Sequence, residues 1–316
     1  LWDVLVLGLV VVATGQVELA LTVVYFVQAA LLVGIVLTSR PKVRATRHDL
    51  FERVHRFGGW GLSALFWVGA VLLVDERRGS ESLGSALVGT PTVWVLVVTT
   101  VSSLVPWMLL RRIPIEVVRP SSHVALVKSG RRTPMAGTTR AISRHPLRQW
   151  HSFAVIPTPG QEGFRMAVSR AGDWTGEFID EPPSQVWVRG VATAGMANYG
   201  TVFKRVVYMV TGSGIGPVLA HVLAARVPHR LVWVTRDPVK TYGQELVDEI
   251  LAAQPDTVIW DTDAKGKPDM VKLAYAAYAE SDAEAVICVS NKKVTWSVVH
   301  GMERLGIPAL GPIWDS

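Results

Sequence analysis

The sequence predicts three consecutive parts: membrane-spanning helices over residues 1–112, a small β-barrel over 113–203, and a doubly wound α/β domain over 204–316. Three observations carry this reading. Long uncharged apolar runs crowd the chain before Arg111. Short alternating runs take over from Ile113. After Lys204, strand-like and helix-like segments alternate behind a glycine-rich turn.

The apolar part comes first. A mean hydropathy of +0.30 and a hydrophobic share of 49% are high for a soluble chain, and the surplus lies before Arg111. Leu19–Thr38 is uncharged over 20 residues, enough to cross a hydrocarbon core of about 30 Å as a helix. Phe57–Val74 is a second such run. Leu83–Leu110 is a third, whose spanning part is expected to start near Thr92 and to carry Pro106 as a kink. Val4–Val17 is shorter and reads as the remnant of an earlier span. The chain opens at Leu1 inside this apolar run, as a piece of something longer would. No basic residue precedes the run and further apolar segments follow it, which argues against a secretory signal.

Charge placement orients these spans. Arg40, Lys42, Arg44, Arg47, Arg53 and Arg56 stand against only Asp49 and Glu52, whereas the Asp75–Ser82 loop is mixed in sign. Arg111 and Arg112 follow the last span. Positive residues stay on the cytosolic side, and two spans separate the two basic regions, so both are expected there, with everything after Arg111. The net charge of +6 is thus assigned to membrane orientation rather than to nucleic acid. Cys288 is the one cysteine, which excludes an internal disulfide and a zinc site built from several cysteines. No metal site is expected.

In the soluble part, Ile115–Val118, Val124–Val127, Phe153–Ile156, Phe164–Val168 and Val186–Val188 read as strands between Pro, Gly and Ser turns, with little helical pattern. Such strands suggest a small barrel. Then Val206–Val210, Leu231–Thr235, Thr257–Trp260 and Ala285–Val289 read as strands. Helices are expected over 217–226, 243–253 and 270–279. The first of these strands runs into Thr211-Gly212-Ser213-Gly214-Ile215-Gly216-Pro217. Glycines there allow a tight turn and a close backbone approach to a pyrophosphate, and the next helix offers free N–H groups to the anion. Pro217 suits a first helical position. The alternative is a plain tight turn, but its place between the first strand and helix favours nucleotide binding.

Several segments, in order, resemble the NADPH oxidase and ferric reductase superfamily, with its ferredoxin-reductase-like FAD barrel and NAD(P)-binding domain. Trp150-His151-Ser152-Phe153-Ala154 resembles its Trp-His-Pro-Phe-Thr flavin motif, and Gly172-Asp173-Trp174-Thr175 its flavin-pyrophosphate segment, with Arg170 near the position of its pyrophosphate arginine. Gly212–Pro217 resembles its nucleotide loop. Gly266-Lys267-Pro268-Asp269 resembles its Gly-Arg-Pro-Asp/Asn segment, whose basic residue faces NADPH, and Cys288 the cysteine beside the nicotinamide. Asn291, Thr295 and the ending Gly311–Ser316 bring the likeness closest to fungal integral-membrane flavoproteins and to the C-terminal part of fungal non-ribosomal-peptide-synthetase-like adenylating proteins.

The resemblance implies an NADPH-dependent flavoprotein oxidoreductase with FAD and an unidentified cytosolic electron acceptor. Alternatives for single residues stay open. Arg236, at a strand end, and Lys267 are both candidates for reading the adenosine 2′-phosphate, and Lys267 could equally be a solvated turn residue. Cys288 is either a redox participant or a small buried residue. Trp314 either stacks on flavin or fills a core. Asp173 and Thr175 cap a helix aimed at the pyrophosphate, or an ordinary one. Some positions depart from the family: Ala154 stands for its threonine, Ser152 for its proline, Cys288-Val289-Ser290 for Cys-Gly-Pro, and Arg170 lies one place nearer the Gly-Asp-Trp-Thr segment. These departures keep open a catalytically degenerate sensor, or a docking module of a larger synthetase-like protein. His48–His55 resembles the entry to the family's haem helix, but Val68 and Gly69 stand where a second ligand to pair with His55 would fall, so no haem is expected.

Overall fold

The structure, a computed structural model, describes residues 19–130, 135–157, 160 and 162–312. It divides into an N-terminal unit ending at Met108 and a second unit beginning at Leu109.

The first unit holds helices Leu19–Thr38, Pro41–Thr46, His48–Arg77, Leu83–Gly89 and Pro91–Met108. Three of these, Leu19–Thr38, His48–Arg77 and Pro91–Met108, are long and apolar enough to cross a membrane. The 30-residue helix spans about 45 Å at 1.5 Å per residue, so its basic first turns extend beyond its apolar stretch. Small residues let it approach its neighbour. A side chain at Gly61 or Gly69 would sit 3.7 Å from Leu31 and 3.5 Å from Val24. Trp67 Nε1 donates to Thr100 Oγ1 at 2.9 Å, tying the second long helix to the third. Phe26, Trp94 and Val98 are more than half exposed on the outer faces, as lipid-facing residues would be. The third apolar run breaks at Thr90, and its long helix opens at Pro91, next to the expected start near Thr92, with Pro106 inside it.

In the second unit the strands are β1 Arg111–Pro114, β2 Glu116–Val118, β3 Val124–Ser129, β4 Thr138–Ser143, β5 His151–Ala154, β6 Phe164–Ser169, β7 Gln185–Val188 and β8 Thr193–Ala194. They form two antiparallel sheets, β1-β7-β4-β5 with β8 on β4, and β2-β3-β6. Ile113, Val127, Ile142, Val155, Met166 and Phe178 fill the space between them. Arg111 and Arg112, expected to end the membrane part, are instead the start of β1, paired with Val188 and Trp187. The helix expected to follow Gly172 is Asp173–Asp180, whose eight residues with an internal glycine hide its period in the sequence.

The remaining strands, β9 Val206–Thr211, β10 His229–Thr235, β11 Val258–Asp261, β12 Ala285–Val289 and β13 Ala309–Leu310, make one parallel sheet in the order β11-β10-β9-β12-β13. Counted from β9, that is 3-2-1-4-5, and the order reverses between β9 and β12. Helices Ile215–Ala224 and Gln244–Ala253 cover one face, Met270–Ser281 and Lys292–Glu303 the other. Val124 and Ile156 of the barrel lie in the first of these cores, so the barrel wall helps to close the core of the sheet. Arg165 of β6 adds a two-pronged ion pair to Glu249, at 2.8 and 2.6 Å. The helix expected over 243–253 is cut at Gly243, whose φ of +88° follows the short helix Pro238–Tyr242.

Candidate functional site

The glycine turn sits where the strand order reverses. Thr211 ends β9, Gly212 takes φ +48°, and the helix begins at Ile215. Pro217 is therefore at the third helical position rather than the first, which is tolerated because the first N–H groups of a helix have no partner within it. Gly214 is constrained from the inside: a Cβ there would overlap the carbonyl oxygen of Val289 on β12. Gly216 faces the barrel, where an added Cβ would stand 3.5 Å from Ala167. The turn is thus wedged between β12 and the barrel, leaving Ser213 exposed. Its hydrogen-bonded neighbour across the reversal is Ser290, whose hydroxyl pairs with that of Thr211.

Beneath the turn lie two residues to which the sequence assigned no role. Trp233 of β10 donates from Nε1 to the Gly212 carbonyl at 3.0 Å, and Tyr242 meets its ring edge-on at 5.0 Å. Burial pushes the Tyr242 hydroxyl up to about 12, against a hydrogen bond to Thr235. A lone buried aromatic in a strand looks like any core residue, so only the contact reveals the link.

The two barrel motifs converge. Trp174 stacks on His151 at 4.1 Å between centroids, lies parallel to Phe153 at 6.2 Å, and continues onto Phe178. His151 and Phe153 share one side of β5, whereas Ser152 and Ala154 share the other. The helix after Gly172 is capped from within: Thr175 Oγ1 accepts from the Ala171 and Gly172 amides at 2.9 and 3.1 Å. Asp173 makes no side-chain cap. Arg170 is not aimed at this helix start. Its guanidinium grips Asp180 at the other end of the helix, and its Nε donates to the Ser122 carbonyl at 2.9 Å. The pairing holds the Asp180 carboxyl below its ordinary range and raises Arg170. Arg170, read from the sequence as near a pyrophosphate position, is here a clamp across the helix.

Cys288 is likewise turned away from its expected place. Ile287 and Val289 face the core shared with the barrel, while Cys288 points into the opposite one, fully buried. Burial pushes its thiol up to about 12, offset by a hydrogen bond with Thr295. Here it sits as a small buried residue, and Ser290 is the polar group at the strand end. Arg236 is exposed at the tip of β10 and pairs with Asp263 at 3.1 Å. Lys267 is exposed in the turn after Gly266, Pro268 is half-buried, and Asp269 caps the next helix through the Val271 and Lys272 amides. Trp314 lies outside the described residues.

An antiparallel barrel sharing its core with a 3-2-1-4-5 sheet defines the ferredoxin-reductase-like class of flavin- and nicotinamide-binding folds. In agreement, the chain is similar to a ferredoxin NADP+ reductase from Neisseria gonorrhoeae, solved with FAD and NADP, over 65% of this chain and 98% of that one, with a TM-score of 0.53 and 13% identity. A flavohemoglobin from Malassezia yamatoensis matches over 97% of this chain and 98% of its own, with a TM-score of 0.54 and 16% identity. Both show the fold alone. More particularly, residues 196–316 match the family described as "Adenylate-forming reductase 03009, C-terminal domain". Two proteins of Coprinopsis cinerea, adenylate-forming reductases 03009 and 06235, are 43% and 41% identical over 96% of this chain. The chain spans 30% of the length of each.

Proposed function

We propose that this chain is a membrane-anchored, NAD(P)H-dependent flavin oxidoreductase that prefers NADPH and passes electrons through FAD to a cytosolic acceptor. The observation that carries this is the glycine turn at the strand-order reversal of a sheet whose core continues into the barrel. The residues fit a nicotinamide nucleotide: Gly212–Gly216 offer backbone to a pyrophosphate, and the Thr211 and Ser290 hydroxyls stand at the strand ends. They fit FAD in part. The His151, Phe153 and Trp174 rings and the helix start at Gly172 lie together, whereas Arg170 is committed to Asp180 and Ala154 has no hydroxyl. When bound, FAD supplies hydride acceptance and onward electron transfer, and the protein supplies position and electrostatics. The likeness to ferric reductases and NADPH oxidases enters only through these motifs.

A purified full chain in detergent, incubated with FAD and desalted, should keep a flavin band that bleaches on anaerobic addition of NADPH. Loss of all flavin on desalting would sink the reading. Retained flavin that NADPH leaves oxidised would favour the second reading, a catalytically degenerate nucleotide-binding sensor or docking module within a larger synthetase-like protein. The Ala154, Arg170 and Cys288 geometry speaks for that alternative, and so does the likeness to one part of longer adenylating relatives.

Three long apolar helices support an integral anchor, with the reductase part expected in the cytosol. No electron path across the membrane is proposed. His55 Nδ1 engages the Phe51 carbonyl at 2.9 Å, and Gly69 packs against Val24. A six-coordinate haem spectrum from the purified chain that vanished in His55→Ala would overturn this.

A further inference from the structure

The inference concerns Trp233 and rests on the nucleotide-binding reading above. Trp233 lies in the middle of β10, the strand beside the one that carries the glycine turn, and is fully buried. An indole N–H can only donate, and here it has one acceptor, the Gly212 carbonyl at 3.0 Å. The Ile215 amide donates to the same oxygen from within the turn. The Gly212 carbonyl is therefore held from two sides and drawn toward β10.

That anchoring has a consequence across the peptide bond. In a trans peptide the carbonyl and the following N–H point in opposite directions. With the Gly212 oxygen fixed toward Trp233, the Ser213 N–H is fixed pointing away from the core, at an exposed residue. Glycine at φ +48° has wide conformational freedom, and without an anchor this peptide could turn over at little cost. We propose that Trp233 is a positioning residue for the anion seat: its indole N–H sets the Gly212–Ser213 peptide so that the Ser213 N–H meets the nucleotide pyrophosphate.

The support reaches the barrel as well. Tyr242 braces the Trp233 ring edge-on, and the carbonyl of Thr241 next to it accepts from Ser121 Oγ at 2.7 Å. An added Cβ at Gly243 would lie 3.4 Å from Pro120. The barrel loop at 120–121 thus meets the two residues that flank Tyr242 in the chain, Thr241 and Gly243.

The test uses the full chain in detergent, with binding measured well below the melting temperature for three ligands. NADP+ and NAD+ carry a pyrophosphate, whereas adenosine 2′-monophosphate does not. Trp233→Phe removes the donor and keeps an aromatic ring. Replacing Trp233 with β-(3-benzothienyl)alanine keeps the bicyclic shape and removes only the N–H, which separates the hydrogen bond from packing. Both variants should bind NADP+ and NAD+ about fivefold to tenfold more weakly, by the same factor for each, as expected for one lost hydrogen bond. Adenosine 2′-monophosphate should bind unchanged. Unaltered NADP+ affinity in the benzothienyl variant, or a loss extending equally to adenosine 2′-monophosphate, overturns the proposal. If the unmodified chain binds none of the three ligands, the nucleotide-binding reading itself fails and takes the proposal with it.

Discussion

Gly214 illustrates how one missing side chain fixes a site. A Cβ there would collide with the Val289 carbonyl, so Gly214→Val must push the turn off β12. Overpacking of this kind costs about 1–3 kcal/mol. The variant should melt lower and lose NADP+ affinity, and normal melting with normal binding would contradict the geometry. Arg236 and Lys267 present the opposite case, exposed charges that order little around them. If they read the 2′-phosphate, Arg236→Ala or Lys267→Ala should weaken NADP+ and spare NAD+. A charge-assisted hydrogen bond is worth about 1.5–3 kcal/mol, or roughly tenfold to a hundredfold in affinity. Equal losses for both nucleotides would remove them from that role. His221, buried on the glycine-turn helix, is pushed down to about 4 by burial, with Arg226 and His229 adding repulsion. The unfolded chain takes up this proton near 6.5 and the folded chain only near 4, so protons favour unfolding as pH falls through that window. The fall in melting temperature between pH 7 and 4 should be shallower in His221→Leu than in the unmodified chain; parallel curves would exclude His221 as a contributor.

Among the elements, helix Asp173–Asp180 leans on its ends, since eight residues are too few to hold a helix by propensity alone. Thr175 serves its start, accepting from the Ala171 and Gly172 amides and donating to the Gly172 carbonyl at 3.0 Å. Arg119 serves its end, donating to the Ile179 and Asp180 carbonyls at 3.1 Å each, beside the Arg170–Asp180 pair. Thr175→Val keeps the shape and removes the hydroxyl. It should cost about 1 kcal/mol, the usual worth of a helix cap, read as a lower denaturant midpoint at unchanged slope. An unchanged midpoint would show that the helix is held by its packing on the barrel instead. Because Trp174 rides on this helix, its stacking against His151 and Phe153 should loosen in the same variant.

At the scale of the molecule, the long apolar helices and their flanking charges set the expected topology. Reporter fusions after Arg44 and after Ser316 should report the cytosolic side, and a fusion at Ser80 the other side. Opposite locations for the first and last would overturn the orientation. Within the second unit, barrel and sheet are joined by shared apolar burial and by the Arg165–Glu249 pair, both partners of which are largely buried. That arrangement places the glycine turn against the barrel wall through Gly216 and Ala167.

The sequence by itself determined what depends on near neighbours. Leu19–Thr38 is uncharged and is helical throughout, and the run Val206–Val210 before the glycine turn became a strand, because partition from water and local turn geometry are legible over a few residues. Strands such as Thr138–Ser143, half polar and with an arginine inside, were hidden because their place is set by partners far away in sequence, Val188 and Ala194. The site divided the same way. The order of the motifs was readable, and His151, Phe153 and Trp174 do come together. Which way each side chain points was not. Cys288 faces the far core because alternate strand residues take opposite faces, and the register on β9 decides which. Arg170 chose Asp180 within the barrel, and Gly212 found Trp233, 21 residues away on the next strand of the sheet, through contacts that exist only once the elements of each have packed.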